Sequence, residues 1–158
     1  MNNYSAIVTD IKTKLLGVTG TGNVYPYFRY SKDASTFMQL FMVDSDAGKK
    51  DIRGWEITRS KVTETLKGLY FRHHTMKLNG YLGLQDEAQS DTTFQQFIEE
   101  ICNVFRKAEA PAEATWFYGN GERPVDSPAQ ADVIDVRLYG SYLCHHAEIT
   151  LMVTERII

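Results

Sequence analysis

The chain has 158 residues, of which 43% are hydrophobic and 23% charged, a length and balance typical of one folded domain that buries its own core. Its net charge of −3 and pI near 5.8 disfavour direct binding to nucleic acid, because nucleic-acid-binding proteins usually carry a basic surface. The N-terminus lacks a basic segment followed by an apolar run, and no window approaches the roughly 20 apolar residues that span a bilayer, so we expect cytosolic synthesis and no membrane partner.

Hydrophobic spacing predicts an amphipathic helix over residues 4–16. The glycines of residues 17–22 superficially resemble a phosphate-binding loop, but such loops follow a strand and open a helix. Here the glycines follow a helix, so they indicate its end. Short aromatic and aliphatic stretches predict strands over residues 24–30 and 37–43, with a loop over residues 31–35 between them.

The middle of the chain has the alternation that is typical of strands. After a turn or longer loop over residues 44–50, a half-buried strand is predicted over residues 53–59, with Trp55 on its apolar face. The β-rich pattern continues over residues 69–84, where the Asn79-Gly80 pair forms either a turn or a bulge.

The clearest predicted element is a helix that begins at Ser90 or Asp91, since either side chain can cap a first turn. Its apolar residues lie on one broad stripe, formed by Phe94, Phe97, Ile98, Ile101, Cys102 and Phe105. Residues 110–131 then form a loop or an exposed hairpin. The chain continues with strands over residues 133–139 and 142–154, or with one strand interrupted by Gly140-Ser141.

This order of elements predicts a single α+β domain over residues 1–158. We expect a mainly antiparallel, mixed sheet with two amphipathic helices packed on it, because the apolar stripe of a helix and the apolar face of a sheet bury each other.

One set of side chains suggests metal chemistry. Cys144, His146 and Glu148 alternate along a predicted strand and share a face. Together with His73 or His74 they suggest a zinc site of a small metal-dependent enzyme. However, alternate side chains on a strand are roughly 7 Å apart, whereas zinc ligands must converge on the ion. The favoured alternative is a histidine satisfied by a hydrogen bond near the core and a buried cysteine, so we assign no catalytic residue, metal or cofactor.

Three stretches resemble small proteins encoded among the head and tail genes of tailed phages and prophages: residues 54–59 (GWEITR), 73–106 and 141–155. The element order is also similar to that of the tail-terminator family of long-tailed phages, in which a helix and a mixed sheet carrying a second helix build a ring. The resemblance implies a virion protein, made in the bacterial host cytoplasm. In such families a ring, typically a hexamer, caps the tail tube, stops its polymerisation and offers a docking face for the head.

The partners implied by the resemblance are other copies of the chain, the tail tube protein and head-connector proteins, with DNA passing through the ring. The sequence indicates a candidate interface, because aromatic residues and arginine are enriched at interface centres and two lysines lie in a predicted loop. Its residues are Trp55, Arg59, Trp116, Phe117, Tyr118, Lys49 and Lys50. Trp55 is equally well explained as a core residue. The alternatives are a head-tail joining protein of the neck, the metal-dependent enzyme, and a binding module unrelated to phages.

Overall fold

The computed structural model describes residues 3–44, 48–121 and 127–157. Within them the chain has the predicted α+β architecture, a mixed sheet of seven strands with three helices, one helix more than the sequence predicts. The elements are α1 Tyr4–Leu16, β1 Asn23–Tyr25, α2 Ala34–Phe41, β2 Met42–Asp44, β3 Lys50–Leu66, β4 Tyr70–Gly83, α3 Ser90–Arg106, β5 Trp116–Tyr118, β6 Ala129–Tyr139 and β7 Tyr142–Ile157.

Three long antiparallel strands, β3, β4 and β7, form the centre of the sheet. Strand β1 runs parallel to β3 and β2 antiparallel to it, both on its outer side, while β5 and β6 both pair with β7. We call the end of the sheet at Lys50, Gly83 and Tyr142 the near end. The far end carries Leu66, which pairs with Tyr70.

Helices α1 and α3 pack on one face of the sheet, which we call the helix face. The buried residues of the two helices recur at the predicted helical spacing, and every second residue of the strands faces them. This is the pattern expected when the apolar stripe of a helix packs on the apolar face of a sheet. The fully buried side chains of this core include Ile7, Ile11, Leu15, Ile57, Met76, Leu78, Phe94, Ile101, Phe105, Ile149 and Leu151.

Gly80 lies inside strand β4, so the Asn79-Gly80 pair is neither a turn nor a bulge. The reason is the indole of Trp55, directly across the ladder: a Cβ atom at Gly80 would lie 2.4 Å from a ring carbon. Trp55 is 2% exposed and stacks on Phe94, with ring centroids 6.4 Å apart. Glycine is therefore required here by the close approach of a buried ring.

The prediction of a strand over residues 37–43 is wrong, because this segment forms helix α2 and only its end enters β2. The side chain of Asp33 accepts a hydrogen bond of 2.8 Å from the Thr36 amide and so caps the helix. Phe37, Leu40 and Phe41 then face the sheet at helical spacing. The predicted strand over residues 24–30 is also shorter than expected, since β1 ends at Tyr25.

Helix α2 packs on the opposite face of the sheet, the α2 face, through an aromatic cluster. The ring of Phe37 stacks on Tyr139 with centroids 4.5 Å apart, and Phe41 lies 4.9 Å from Tyr81. Ala34 is so close to the β6–β7 turn that a Cβ atom at Gly140 would collide with it at 2.2 Å. Residues 26–33 therefore cross the α2 face, from β1 beside β3 to the β6–β7 turn.

Three boundaries resolve alternatives left by the sequence. Helix α3 begins at Ser90, and Gln89 occupies its N-cap position in a left-handed conformation (φ 54°) without a side-chain capping bond, so neither Ser90 nor Asp91 is the cap. Gly140, with φ 64°, turns the chain between β6 and β7, which are two strands and not one. The predicted loop or hairpin over residues 110–131 contains β5 and the start of β6. Residues 122–126 of this segment lie outside the described part of the chain. The same holds for residues 45–47 of the predicted 44–50 loop.

None of the helices in the described part of the chain has the length and apolar character needed to cross a membrane.

Candidate assembly surface

The residues predicted to form an interface do not form one surface. Lys49 and Lys50 lie at the near end of β3, and Arg59 lies further along the same strand, roughly 30 Å away at about 3.3 Å per residue. Residues 116–118 form β5 beside the far half of β7. Trp55 lies in the core, which is the alternative that the sequence left open.

The three aromatic residues of β5 divide between the core and the surface. Trp116 and Tyr118 pack against the main core, and the Tyr118 hydroxyl donates a hydrogen bond of 2.5 Å to Asp10. Phe117 alternates to the α2 face and is 41% exposed. Only Phe117 of this trio presents a large apolar surface to a partner.

Arg59 is exposed but held by its neighbours. Its guanidinium lies 4.5 Å from the ring centroid of Tyr4, and one of its nitrogens is 3.3 Å from Nδ1 of His74. These contacts stabilise the start of α1 on the sheet, so the position of Arg59 is explained within the subunit.

A buried polar cluster beneath Arg59 was not predicted. Nε2 of His74 donates to Glu155 over 3.1 Å, the amide of Asn3 donates to the same carboxylate over 2.9 Å, and Arg72 lies 3.6 Å from it. Burial lowers the pKa of His74 although Glu155 acts in the opposite direction, so the imidazole is neutral near pH 7. The cluster consists of polar residues at strand positions that face the core. The sequence alone does not show which strand positions face the core, because that depends on the register of the sheet.

The other buried histidines are satisfied in the same way. His145 lies 2.9 Å from the Ser90 hydroxyl, which also accepts from the Gln85 amide, and Nδ1 of His146 donates to Asp135 over 2.9 Å. Burial lowers the pKa of both imidazoles. We refer to His74, His145 and His146 as the three buried histidines.

The ligands of the hypothetical zinc site do not converge. His146 pairs with Tyr81, whereas His73 pairs with Thr154, roughly 25 Å further along β7. His74 lies on the opposite face of the sheet. No group of three or more His, Cys, Asp or Glu side chains in the described residues is placed to hold a metal ion.

Cys144 is a poor nucleophile. It has no exposed surface, and burial raises its pKa to about 11. A thiol needs a stabilised thiolate to react, and this environment favours the neutral form.

Two groups of exposed apolar side chains lie on the helix face, beyond the cover of α1 and α3. The first, the hairpin patch, is at the far end, where 43–62% of each side chain is exposed in Val62, Leu66, Leu69 and Tyr70. The second, the β6 stripe, lies along the strand at the opposite edge of the sheet and consists of Ile134, Val136 and Leu138, exposed by 46–64%.

A groove of about 330 Å³ lies at the near end. Its wall is mostly apolar, and Leu84 and Leu143, which are joined by a backbone hydrogen bond of 3.0 Å, form one side of it. Lys50 also lines the groove, so it is the predicted interface residue that lies beside a concave surface.

An exposed aromatic segment crosses the α2 face. Tyr27, Phe28 and Tyr30 are 54–74% exposed, and the backbone of Arg29 is anchored by a hydrogen bond of 3.1 Å to the buried carboxylate of Glu56. Burial raises the pKa of Glu56. The prediction of a strand over residues 24–30 did not reveal this exposed segment, because every second aromatic residue of a strand would face the core.

The sequence matches no protein-family model, and no curated protein matches it. A functional assignment therefore has to come from the residues and surfaces described above and from the resemblance of the three sequence stretches.

Proposed function

We propose that this chain is a virion-assembly protein of a tailed phage or prophage, and specifically a tail terminator. Its subunits would form a ring, typically of six, that caps the tail tube, stops its growth and provides the face on which the head docks. The observation that carries the proposal is the pair of unlike surfaces at opposite ends of one sheet, the hairpin patch at the far end and the apolar groove at the near end.

A ring needs such a pair because each subunit contacts its neighbours through two different surfaces. An exposed apolar patch at one end and an apolar groove at the other are suited to a head-to-tail contact. The long central strands, with helices on both faces, keep the two surfaces at a fixed separation. The aromatic segment and Phe117 add apolar surface on the α2 face for partners of a different kind.

The size of the hairpin patch predicts weak association. Burying the exposed half of four large apolar side chains contributes about 3–6 kcal/mol. Association costs roughly 4–15 kcal/mol in lost motional freedom. A single contact of this size does not hold two free subunits together, so ring closure or the tail tube has to supply the remainder.

The first test is the molar mass of the purified protein by light scattering from micromolar to millimolar concentration, with and without tail tubes, and negative-stain imaging of large species. We expect closed rings near six subunits at high concentration or on tube ends. A protein that stays monomeric throughout and does not bind tail tubes contradicts the proposal.

Removal of the gene from the encoding phage or prophage distinguishes the terminator from a head-tail joining protein. Loss of a terminator leaves tubes of uncontrolled length, whereas loss of a joining protein leaves tails of normal length beside unattached heads. Elemental analysis of protein purified without chelator tests the enzymatic alternative, because stoichiometric zinc would favour it.

A further inference from the structure

We infer that strand β6 is a two-fold docking edge, which pairs antiparallel with β6 of a second copy to extend the sheet across a dimer. The inference goes beyond the proposed function, since a two-fold contact closes after two copies and cannot by itself build a ring. It uses none of the surfaces on which the ring proposal depends.

The edge of β6 is open. Within the described residues β6 pairs only with β7, and the ladder runs without interruption from Val133 to Tyr139 after a register shift at residues 131–133. An unpaired strand edge presents a row of amide and carbonyl groups, which a further strand satisfies. The occupant of such an edge is therefore a strand.

The side chains on the helix face of β6 are apolar and match themselves in an antiparallel pair. Centring the two-fold axis on Val136 places Val136 opposite its own copy and Ile134 opposite Leu138. These three side chains are 46–64% exposed in the single subunit. Cross-strand neighbours lie about 4.5–5.5 Å apart, so the pairing buries the whole stripe.

The charges on the α2 face of β6 select the same pairing. Asp135 and Arg137 stand on either side of the proposed axis and bond each other within the subunit over 3.0 Å. In the two-fold arrangement each Asp135 is opposite Arg137 of the second copy. Both side chains are about half exposed, 40% for Asp135 and 47% for Arg137, although Asp135 also accepts a hydrogen bond of 2.9 Å from His146.

Another open strand segment, at the far end of β3, provides a competing occupant. Beyond β1 and β2, residues 61–66 of β3 also have no outer partner among the described residues, and they carry Val62 and Leu66 on the helix face. Their α2-face residues, Lys61, Thr63 and Thr65, offer one cation and no anion to match the Asp135 and Arg137 pair. The second β6 therefore fits the edge better than the β3 segment does.

Charge variants test the pairing by sedimentation or light scattering over a wide concentration range, with no phage component present. The wild-type protein is expected to dimerise. Arg137→Asp places like charges opposite each other twice across the axis, as does Asp135→Arg, and each is expected to weaken the dimer about tenfold or more. A 1:1 mixture of the two variants restores opposite charges and is expected to form a heterodimer.

The matched control is Lys61→Glu, which changes a charge on the competing edge and should leave the dimer intact. Far-UV circular dichroism and unfolding midpoints establish that each variant is folded. As a measurement without substitutions, amides of residues 133–139 should exchange more slowly in the wild-type protein at high concentration than at low concentration.

A monomer at all concentrations, a dimer insensitive to Arg137→Asp, or variants that do not associate when mixed would overturn the inference. A dimer broken by Lys61→Glu would assign the edge to β3 instead. These outcomes leave the proposed function separately testable, because ring formation and tail length are measured with tail tubes or in the phage.

Discussion

Gly80 is the position where one added methyl group should disturb the packing most informatively. A Cβ atom there would lie 2.4–2.5 Å from three ring carbons of Trp55, whereas carbon atoms in contact prefer about 3.5–4.0 Å. The indole is 2% exposed and has Phe94 stacked behind it, so it cannot retreat. We expect Gly80→Ala to lower the free energy of unfolding by about 3 kcal/mol, the upper end of the usual overpacking cost.

The same substitution should be harmless when the ring is absent. Trp55→Leu creates a cavity and costs up to the ~3–5 kcal/mol typical of Trp→Ala. In that background the clash at Gly80 is gone, and alanine replaces a glycine in a strand, a change that is neutral or favourable by roughly 0.5–1 kcal/mol. A double-mutant cycle should therefore give a coupling energy of about 3 kcal/mol between the two sites.

Urea unfolding of the four proteins, followed by circular dichroism, measures this coupling from the midpoints and slopes. The single substitution Trp55→Leu serves as the control for cavity formation alone. If Gly80→Ala costs the same in both backgrounds, the penalty does not come from the indole and the reasoning fails.

Three further predictions concern buried groups. Glu155→Gln should cost about 3–5 kcal/mol of stability, because it leaves a buried donor without an acceptor and removes the buried charge beside Arg72. The control Glu148→Gln on the same strand removes a partly exposed carboxylate paired with Lys77 and should cost less than ~1 kcal/mol; equal costs would contradict the assignment. The pKa of each of the three buried histidines lies below the ordinary 6.5, so the unfolded chain binds more protons than the folded one. The free energy of unfolding should therefore be highest above about pH 7.5 and fall as the pH drops through 6.5. The expected loss is up to ~1.4 kcal/mol per pH unit for each histidine. A flat profile between about pH 7.5 and 6 would show that they are not buried as neutral groups. Cys144 should react with a thiol reagent at pH 8 at least ~100-fold more slowly than a free cysteine until the protein is unfolded. Mass spectrometry of the labelled peptide measures this rate. Rapid labelling in the native state would exclude the burial of Cys144.

Periodicity was sufficient to predict α1, α3 and the long strands. In these elements most inward positions are apolar over many residues, so the repeat outweighs single exceptions, as the stripe of α3 from Phe94 to Phe105 illustrates. The end of α1 was also predictable, since Gly17 caps it.

Short aromatic segments were not predictable in the same way. Residues 37–43 have the composition of a strand, and only the cap at Asp33 and the spacing of Phe37, Leu40 and Phe41 distinguish a helix of two turns. Intrinsic strand preference is weak and depends on context, so the capping bond and the aromatic cluster on the α2 face decided the outcome.

The candidate surface was the least predictable feature, because exposure on a strand depends on which strands lie beside it. Ile134, Val136 and Leu138 have the alternation of a half-buried strand, yet they are 46–64% exposed on β6, which lies at an edge and pairs only with β7 among the described residues. Trp55 has a residue type enriched at interfaces but lies opposite a glycine that makes room for it in the core. Strand order, which no single sequence contains, separates the two cases.

The position of β7 between β4 and β6 also sets an order of events during synthesis. The inner edge of β4 finds its partner only when residues 144–157 have been made, although β4 itself is complete at Gly83. At about 5–20 residues per second, the ribosome needs roughly 4–15 s to cover that interval. Throughout it the apolar side of the β3–β4 hairpin has only α1, and later α3, as cover, and the inner edge of β4 stays open, so the nascent chain is vulnerable to aggregation until the last strand emerges.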